Sequence, residues 1–316
     1  MGELSRRDFL QSSLGATALA FGAAATVRAG EDPVPPDGAD DLFIDTHVSL
    51  GRWPFRRISG DETSELARQL RGHGVTSAWA GSFEGLFHKD VASVNARLAA
   101  ECGGSDGLFV PFGTVNPMLP AWEEDLRRCH EEHRMPGVRL HPGYHRYTLE
   151  DPVFGELLAG AAARGLIVQL VPWIEDERHQ HPLMPIATTD LGPLAERVAA
   201  VPELRLVLAN GFRAPRGKAL SDLAKMERVY FDFGKLDVLD GLGQFLKVVP
   251  AEQVVFGSHS PMFYFESALL KFRESAVSGE QERMLRGENA RRLLAWASSD
   301  DFHEKPRKTR KGDNST

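Results

Sequence analysis

Short apolar runs alternate with amphipathic stretches along residues 42–263. The runs are rich in β-branched and aromatic residues, and polar residues or Gly repeatedly follow them. They are "LFIDTHVSL" from Leu42, "VTSAWAGS" from Val75, "GLFVPFGTVNP" from Gly107, "GVRLHPGYH" from Gly137, "LIVQLVPW" from Leu166, "LRLVLANG" from Leu204, "RVYFDFGKLD" from Arg228 and "QVVFGSHSPMF" from Gln253. Stretches between them, such as "DETSELARQLRGHG" and "AWEEDLRRCHEEH", have helical periodicity. The pattern predicts eight strands separated by helices.

Strands that alternate with helices predict a parallel sheet, and eight such units predict an α/β fold of the (β/α)8 TIM-barrel class. An open doubly wound sheet is the alternative, but no glycine-rich phosphate loop follows any of the runs. The segment "RMLRGENARRLLAW" predicts a closing helix packed on the outside. In TIM barrels the chemistry lies at the C-terminal ends of the strands, so polar residues there are the candidate functional residues.

Residues 1–29 have a different pattern, which predicts a signal peptide. Arg6 and Arg7 precede an uncharged segment rich in Ala, Gly and Ser, and "VRA" at 27–29 places small residues where a signal peptidase cleaves. The segment resembles a twin-arginine signal, so we expect a periplasmic or otherwise exported protein. A membrane anchor is the alternative, but Ala, Gly and Ser partition poorly into lipid, and no stable anchor is expected.

The rest of the chain divides into three parts. Residues 30–41 ("GEDPVPPDGADD") form a linker, residues 42–299 the barrel, and residues 300–316 a basic tail that we expect to be disordered. The only cysteines, Cys102 and Cys129, fall in helical patterns, and no spacing supports a disulfide.

Composition and charge exclude some classes of partner. The 316 residues are 42% hydrophobic and 26% charged, with a net charge of −7, as in soluble globular proteins. A mild acidic excess gives no reason to expect nucleic acid or an anionic membrane. A small-molecule substrate remains the expected partner, and homo-oligomer formation stays open.

Polar side chains gather at the predicted ends of the strands. Asp45, His47 and Ser49 alternate along the first strand, so we expect them on one face at the mouth of the barrel. Further candidates at later strand ends are Asn116, Arg139, His141, Trp173, Asn210, Asp232, Lys235 and His259.

Several short motifs carry a family resemblance. "FIDTHVSLG", "GVRLHPGY", "VVFGSHSPM" and "GENARRLLAW" occur in the order of the first strand, fourth strand, eighth strand and C-terminal helix of the amidohydrolase-related branch of the amidohydrolase superfamily. The sequence is similar to that branch over most of residues 42–297. The resemblance implies a barrel like those of metal-dependent hydrolases. Members that bind a metal usually show His-x-His on strand 1, His at the ends of strands 5 and 6, and Asp on strand 8.

The chain departs from this ligand pattern at most positions. His47 is retained, but Ser49 stands in the second place, Val171 and Asn210 stand on strands 5 and 6, and His259 replaces the strand 8 aspartate. Hydroxyl and amide groups are weak zinc ligands, and valine is none. We therefore expect no metal cofactor.

A rebuilt site for one divalent metal such as zinc is the alternative. "HQH" supplies two imidazoles with a spacing that aligns them on an extended segment. The ligands of such a site would be His47, His179, His181 and His259 with Glu175 or Asp176.

Without a metal, hydrolysis needs a base for water and donors for the oxyanion. His47 and His259 come from strands 1 and 8, which are neighbours in a closed barrel, and either imidazole is a candidate catalytic base. Asp45 is expected to orient His47, and Asn210 to donate to the oxyanion.

The predicted substrate-binding residues are Arg52, Trp53, Arg139, His141, Trp173 and Arg213. The arginines offer charged forks for a carboxylate, and the tryptophans a surface for a ring. The sequence thus predicts an exported hydrolase of a small polar ester, lactone or amide. The alternatives are the metal-dependent hydrolase with the rebuilt site and a barrel that binds a small ligand without turnover.

Overall fold

A computed structural model describes residues 42–209 and 217–297. Several predictions fall outside these ranges and stay predictions: the signal at 1–29, the linker at 30–41, the tail at 300–316, and the site residues Asn210 and Arg213.

Eight parallel strands follow one another in chain order, as the sequence pattern predicts. They are β1 (Ile44–Leu50), β2 (Ser77–Ser82), β3 (Phe109–Thr114), β4 (Gly137–Leu140), β5 (Ile167–Leu170), β6 (Arg205–Leu208), β7 (Val229–Asp232) and β8 (Val254–Val255). Contacts between β1 and the segment from β8 onward close the ring: the Thr46 N–H donates to the Phe256 carbonyl at 2.8 Å, and Val48 bridges to Ser260. The predicted (β/α)8 TIM barrel is confirmed.

Helices pack their apolar sides against the outer faces of the strands. In the described part of the chain they are Thr63–Gly72, Val91–Gly103, Trp122–Glu131, Pro142–His145, Pro152–Ala162, Leu194–Ala199, Lys218–Ala224, Gly241–Phe245, Phe265–Arg273, Gly279–Arg283 and Asn289–Ala297. Short 3-10 turns lie at Phe83–Leu86, Glu177–His179 and Ala251–Gln253, and a π-helical turn at Met284–Glu288. Among the described residues, no helix combines the length and apolarity that a membrane span requires.

The barrel interior has an apolar floor. It is built from buried residues that face inward on seven of the strands: Ile44, Trp79, Phe112, Ile167, Val207, Tyr230 and Val255. Side chains of this size fill the narrow interior of an eight-stranded barrel, so the floor is packed and dry. The functional site can therefore lie only above it, toward the C-terminal ends of the strands.

A polar layer centred on Arg139 covers this floor. The Arg139 guanidinium is buried, and it donates to Gln169 Oε1 at 2.9 Å, to the Val48 carbonyl at 2.8 Å and to the Trp79 carbonyl at 3.0 Å. A Cβ atom on Gly81 would lie 2.6 Å from Arg139 Nη1, so the glycine leaves space for the guanidinium. Burial lowers the pKa of Arg139 to about 9, which still leaves it charged at neutral pH. The barrel itself uses most of the donors that the sequence assigned to a substrate.

An irregularity in β1 separates Asp45 from the two polar residues that follow it. The pairing of β1 with β2 shifts register between Asp45 and Val48. As a result Ile44 belongs to the apolar floor, while His47 and Ser49 line a pocket above it. Strict alternation would have placed Asp45, His47 and Ser49 on one face. That expectation is wrong for Asp45, which does not line the pocket.

Candidate metal centre

Three buried side chains meet at the C-terminal end of the barrel. His47 comes from β1, Asp232 is the last residue of β7, and His259 follows β8; one ligand atom from each lies within 4.8 Å of the other two. His259 Nε2 is 2.8 Å from Asp232 Oδ2, and the rings of His47 and His259 stack with centroids 4.0 Å apart. We call these residues the trio.

The backbone around His259 is specialised to place its ring. His259 has φ of +61°, in the left-handed region that non-glycine residues rarely adopt. The non-glycine residues that do adopt it cluster at functional sites. Its N–H donates to the His47 carbonyl at 2.8 Å, and its carbonyl accepts from the Phe263 N–H at 3.2 Å. A Cβ atom on Gly257 would lie 3.1 Å from Asp232 Oδ2, so this glycine leaves room for the carboxylate.

Asp45 holds the two histidine-bearing segments together from behind. It accepts hydrogen bonds from the His47 N–H at 3.0 Å, from the Ser258 N–H at 2.9 Å and from the Ser258 hydroxyl. Burial raises the pKa of Asp45 to about 6, although these hydrogen bonds oppose the shift. Asp45 orients His47 through the main chain, whereas the sequence suggested an effect on the imidazole. It is a positioning residue.

The two histidines of the trio line a small pocket with a cavity volume of about 10 Å³, which we call the inner pocket. Phe83, Leu86 and Phe263 supply apolar walls, and His141 and Ser49 add polar groups. Nδ1 of His141 is buried and has no hydrogen-bond partner in the described structure. Burial holds the pKa of His141 well below its usual value of 6.5, so the ring is neutral.

The trio has the chemistry of a divalent-metal site. Nδ1 of His47 is buried without a hydrogen-bond partner among the described residues, and burial holds the pKa of His47 well below 6.5. A neutral imidazole is the form that binds a metal. Two imidazoles and one carboxylate suit zinc or manganese, and three protein ligands leave positions open for water or substrate, as in catalytic sites. These residues therefore fit a divalent metal.

A TIM barrel with such a cluster at its C-terminal mouth has a place that can hold a catalytic metal. The sequence matches the amidohydrolase family over residues 44–296, so the chain belongs to that family, as its motifs predicted. No curated protein matches the sequence.

Solved structures share the fold at low sequence identity. The 5-carboxyvanillate decarboxylase of Sphingomonas paucimobilis is 16% identical with a TM-score of 0.63, covering 80% of this chain and 99% of its own. A dihydroxybenzoic acid decarboxylase of Polaromonas, with bound manganese and 2-nitroresorcinol, is 13% identical with a TM-score of 0.65, covering 82% and 98%. A 5-carboxyvanillate decarboxylase of Novosphingobium aromaticivorans, also with manganese, is 13% identical with a TM-score of 0.63, covering 83% and 100%.

The expectation of no cofactor is wrong. Two of these similar structures contain manganese, and the trio provides a ligand set for a divalent metal in this chain. The expectation weighed only the positions where the family usually carries ligands, and Asp232 on β7 lies outside them. His179 and His181 of the rebuilt-site alternative do not join the trio: His181 packs on Phe55, with ring centroids 5.4 Å apart.

The other predicted site residues occupy varied places. Arg52 is exposed and pairs with Glu62. Trp53 is buried against Phe83, with ring centroids 5.3 Å apart. Trp173 is buried and stacks on Phe263 at 5.9 Å. Neither tryptophan lines the inner pocket itself. Each packs against a phenylalanine that does, Trp173 against Phe263 and Trp53 against Phe83.

Asp232 is the member of the trio that sequence reasoning left unassigned. Its signal was present, because a carboxylate at the C-terminal end of a barrel strand is a candidate ligand. The family pattern instead places the aspartate ligand on strand 8.

Proposed function

We propose that the protein is a divalent-metal-dependent hydrolase of a small ester, lactone or amide whose reacting carbonyl group enters the inner pocket. The observation that carries the proposal is the trio itself: three potential ligands within 4.8 Å of one another at the catalytic end of a barrel from an enzyme family. A metal held by His47, Asp232 and His259 would polarise a carbonyl and lower the pKa of water.

The remaining residues of the inner pocket supply the other requirements of hydrolysis. His141 lines the pocket, and its buried Nδ1 has no hydrogen-bond partner among the described residues, so this imidazole is placed to accept the proton of the attacking water. Arg139 places a fixed positive charge beneath the pocket, which favours the oxyanion electrostatically. Phe83, Leu86 and Phe263 exclude bulk water and strengthen both effects.

Decarboxylation of an aromatic acid is a second candidate. The similar structures described above include decarboxylases of aromatic acids, and Phe83 and Phe263 offer ring surfaces in the inner pocket. That reaction ends with protonation of carbon and needs an acid. Burial holds the pKa of His141 well below 6.5, so the charged imidazolium that would supply this proton is disfavoured, which favours hydrolysis.

Metal analysis coupled to a substrate screen tests the proposal. We expect the purified protein to contain a stoichiometric divalent metal and to hydrolyse members of an ester, lactone and amide panel. Activity should be lost on chelation and restored by manganese or zinc. A fully folded protein that takes up neither metal would contradict the proposal, and carbon dioxide release from an aromatic acid panel, without hydrolysis, would favour the second candidate.

We also propose that the chain is exported as a twin-arginine substrate, on the pattern around Arg6 and Arg7. Replacing both with Lys is expected to retain the precursor in the cytoplasm, as measured in fractionated cells. The same replacement of Arg291 and Arg292, a second arginine pair in the chain, is the matched control. Normal export of the Arg6→Lys, Arg7→Lys variant would exclude this route.

A further inference from the structure

A second and larger cavity lies next to the inner pocket. Its cavity volume is about 550 Å³, against about 10 Å³ for the inner pocket, and we call it the outer cleft. Its walls carry polar and charged side chains: Arg56, Arg57, Ser59, Glu175, Lys235 and Ser267. The inner pocket has room for about one water-sized group, far below the usual volume of a ligand site, so the outer cleft is where a substrate has room to extend.

Met262 and Phe263 line both cavities and therefore form the wall between them. Phe263 is held on its faces: it stacks on Trp173 at 5.9 Å, and Lys235 Nζ lies 2.9 Å from its ring centroid. Met262 is half-buried and has a flexible, unbranched side chain. Of the two, Met262 is the residue that can yield.

An ion pair holds the arginine that contacts Met262. Arg56, from the loop after β1, pairs with Glu175, from the loop after β5, and also donates to Met262 Sδ at 3.7 Å. The Glu175 side chain is only 4% exposed. A buried carboxylate strongly resists losing its charged partner, so Glu175 holds the Arg56 guanidinium beside Met262.

We propose that Met262 determines the size of the group that reaches the trio. The substrate then has two parts: a small reacting carbonyl group in the inner pocket and a larger portion in the outer cleft. The reaction at the trio rests on the proposed function, whereas the wall formed by Met262 does not.

The charges of the outer cleft indicate the chemistry of the larger portion. Arg56 is neutralised by Glu175, and Arg57 forks onto Asp61 at 2.7 and 2.8 Å. Basic groups that are already paired with carboxylates provide little net attraction for an anion. Hydroxyl groups of Ser59 and Ser267 line the same cleft. These walls suit a portion rich in hydrogen-bonding groups.

A cysteine reporter in the inner pocket tests the wall without relying on metal or turnover. Ser82 lines the inner pocket and is not a member of the trio, so Ser82→Cys places a thiol there; the hydroxyl that it replaces accepts a hydrogen bond from the Glu84 N–H at 3.2 Å, a bond that a thiol makes only weakly. The native Cys102 and Cys129 are buried, and burial raises the pKa of each to about 12, so they remain unreactive. The protein is labelled with methyl methanethiosulfonate and with the bulkier 5,5′-dithiobis(2-nitrobenzoic acid). Each labelling rate is divided by the rate at which the same reagent reacts with glutathione.

In the Ser82→Cys protein we expect the bulky reagent to be disfavoured by about tenfold or more against the small one. Adding Met262→Ala should raise the rate of the bulky reagent by about tenfold and change that of the small reagent little. Met262→Leu should preserve the discrimination, and Met118→Ala, at an exposed methionine outside both cavities, should also leave it unchanged. Equal normalised rates in Ser82→Cys, no effect of Met262→Ala, or no labelling by either reagent would each overturn the proposal.

A kinetic comparison extends the test to substrates from the hydrolysis panel. Met262→Ala is expected to raise kcat/KM for esters with a large group on the carbonyl carbon by about tenfold relative to acetyl esters. If Met262→Ala changes the labelling rates but no panel member is hydrolysed, the role of Met262 is supported and the proposed function is contradicted. If esters are hydrolysed but Met262→Ala leaves the ratio of kcat/KM between large and acetyl esters unchanged, the proposed function is supported and the role of Met262 is contradicted.

Discussion

Asp232→Asn is expected to lower the affinity for manganese or zinc by about a hundredfold or more. Replacing a residue that only hydrogen-bonds to a metal ligand already lowers metal affinity by up to about a hundredfold, and loss of a ligand itself is expected to cost at least as much. The substitution keeps the shape of the side chain but removes the charge that faces two imidazoles, one of them at 2.8 Å. An amide oxygen is a much weaker ligand for these metals. Metal content after dialysis and hydrolysis at fixed metal should fall together, and isothermal titration gives the affinity.

Asp237→Asn is the matched control for this experiment. Asp237 lies a few residues further along the same loop, but it is exposed and pairs with Lys271. Its replacement should leave metal affinity unchanged. If Asp232→Asn binds metal as tightly as the unaltered protein, Asp232 is not a ligand, and the assignment of the trio falls.

His141→Gln is expected to lower kcat by about a hundredfold to ten-thousandfold, the usual cost of removing a general base. The change keeps a polar side chain of similar reach but removes the group that can take the proton from water. His141 is outside the trio, so metal content should remain stoichiometric and KM should change little. Steady-state kinetics on the metal-loaded protein measure this split.

His88→Gln provides the comparison for His141, because His88 is exposed and lines neither cavity. It should have normal kinetics. Near-normal kcat in His141→Gln would exclude His141 as the base. Loss of the metal in that variant would instead mean that His141 supports the ligand geometry.

Most of the fold was predictable, because the hydrophobic pattern repeats with the period of a β/α unit. The bounds of the strands were less predictable. The last apolar run spans "QVVFGSHSPMF", yet β8 is only Val254–Val255. Beyond β8 the chain is held by contacts with β1, and such long-range bonds leave no local pattern in the sequence.

The candidate site was predictable to the extent that strand ends reveal it. His47 and His259 satisfied that rule and do meet in space. The role of Asp45 was not predictable, because the irregularity in β1 depends on its pairing with a strand and a loop distant in the sequence. Strict alternation is the only local rule available for a strand, and it fails wherever such an irregularity occurs.

Arg139 shows a second limit of sequence reasoning. A cation at the end of a strand suggests a fork for an anionic substrate. In the barrel its acceptors are carbonyls of Val48 and Trp79, from strands that lie 91 and 60 residues away along the chain. Main-chain acceptors are present in every sequence, so only the closed barrel reveals which of them a buried guanidinium reaches.

The position of the trio links metal occupancy to the integrity of the barrel seam. Its members come from β1, β7 and the segment after β8, where the ring closes through a two-residue strand and the hydrogen bonds of β1 with the segment that follows it. An ion shared by these segments would act as a cross-link across this seam. At a free concentration a thousandfold above Kd, binding to the native state alone adds about 4 kcal/mol to the free energy of unfolding. Scarcity of the ion would then shorten the lifetime of the folded chain as well as reduce its activity.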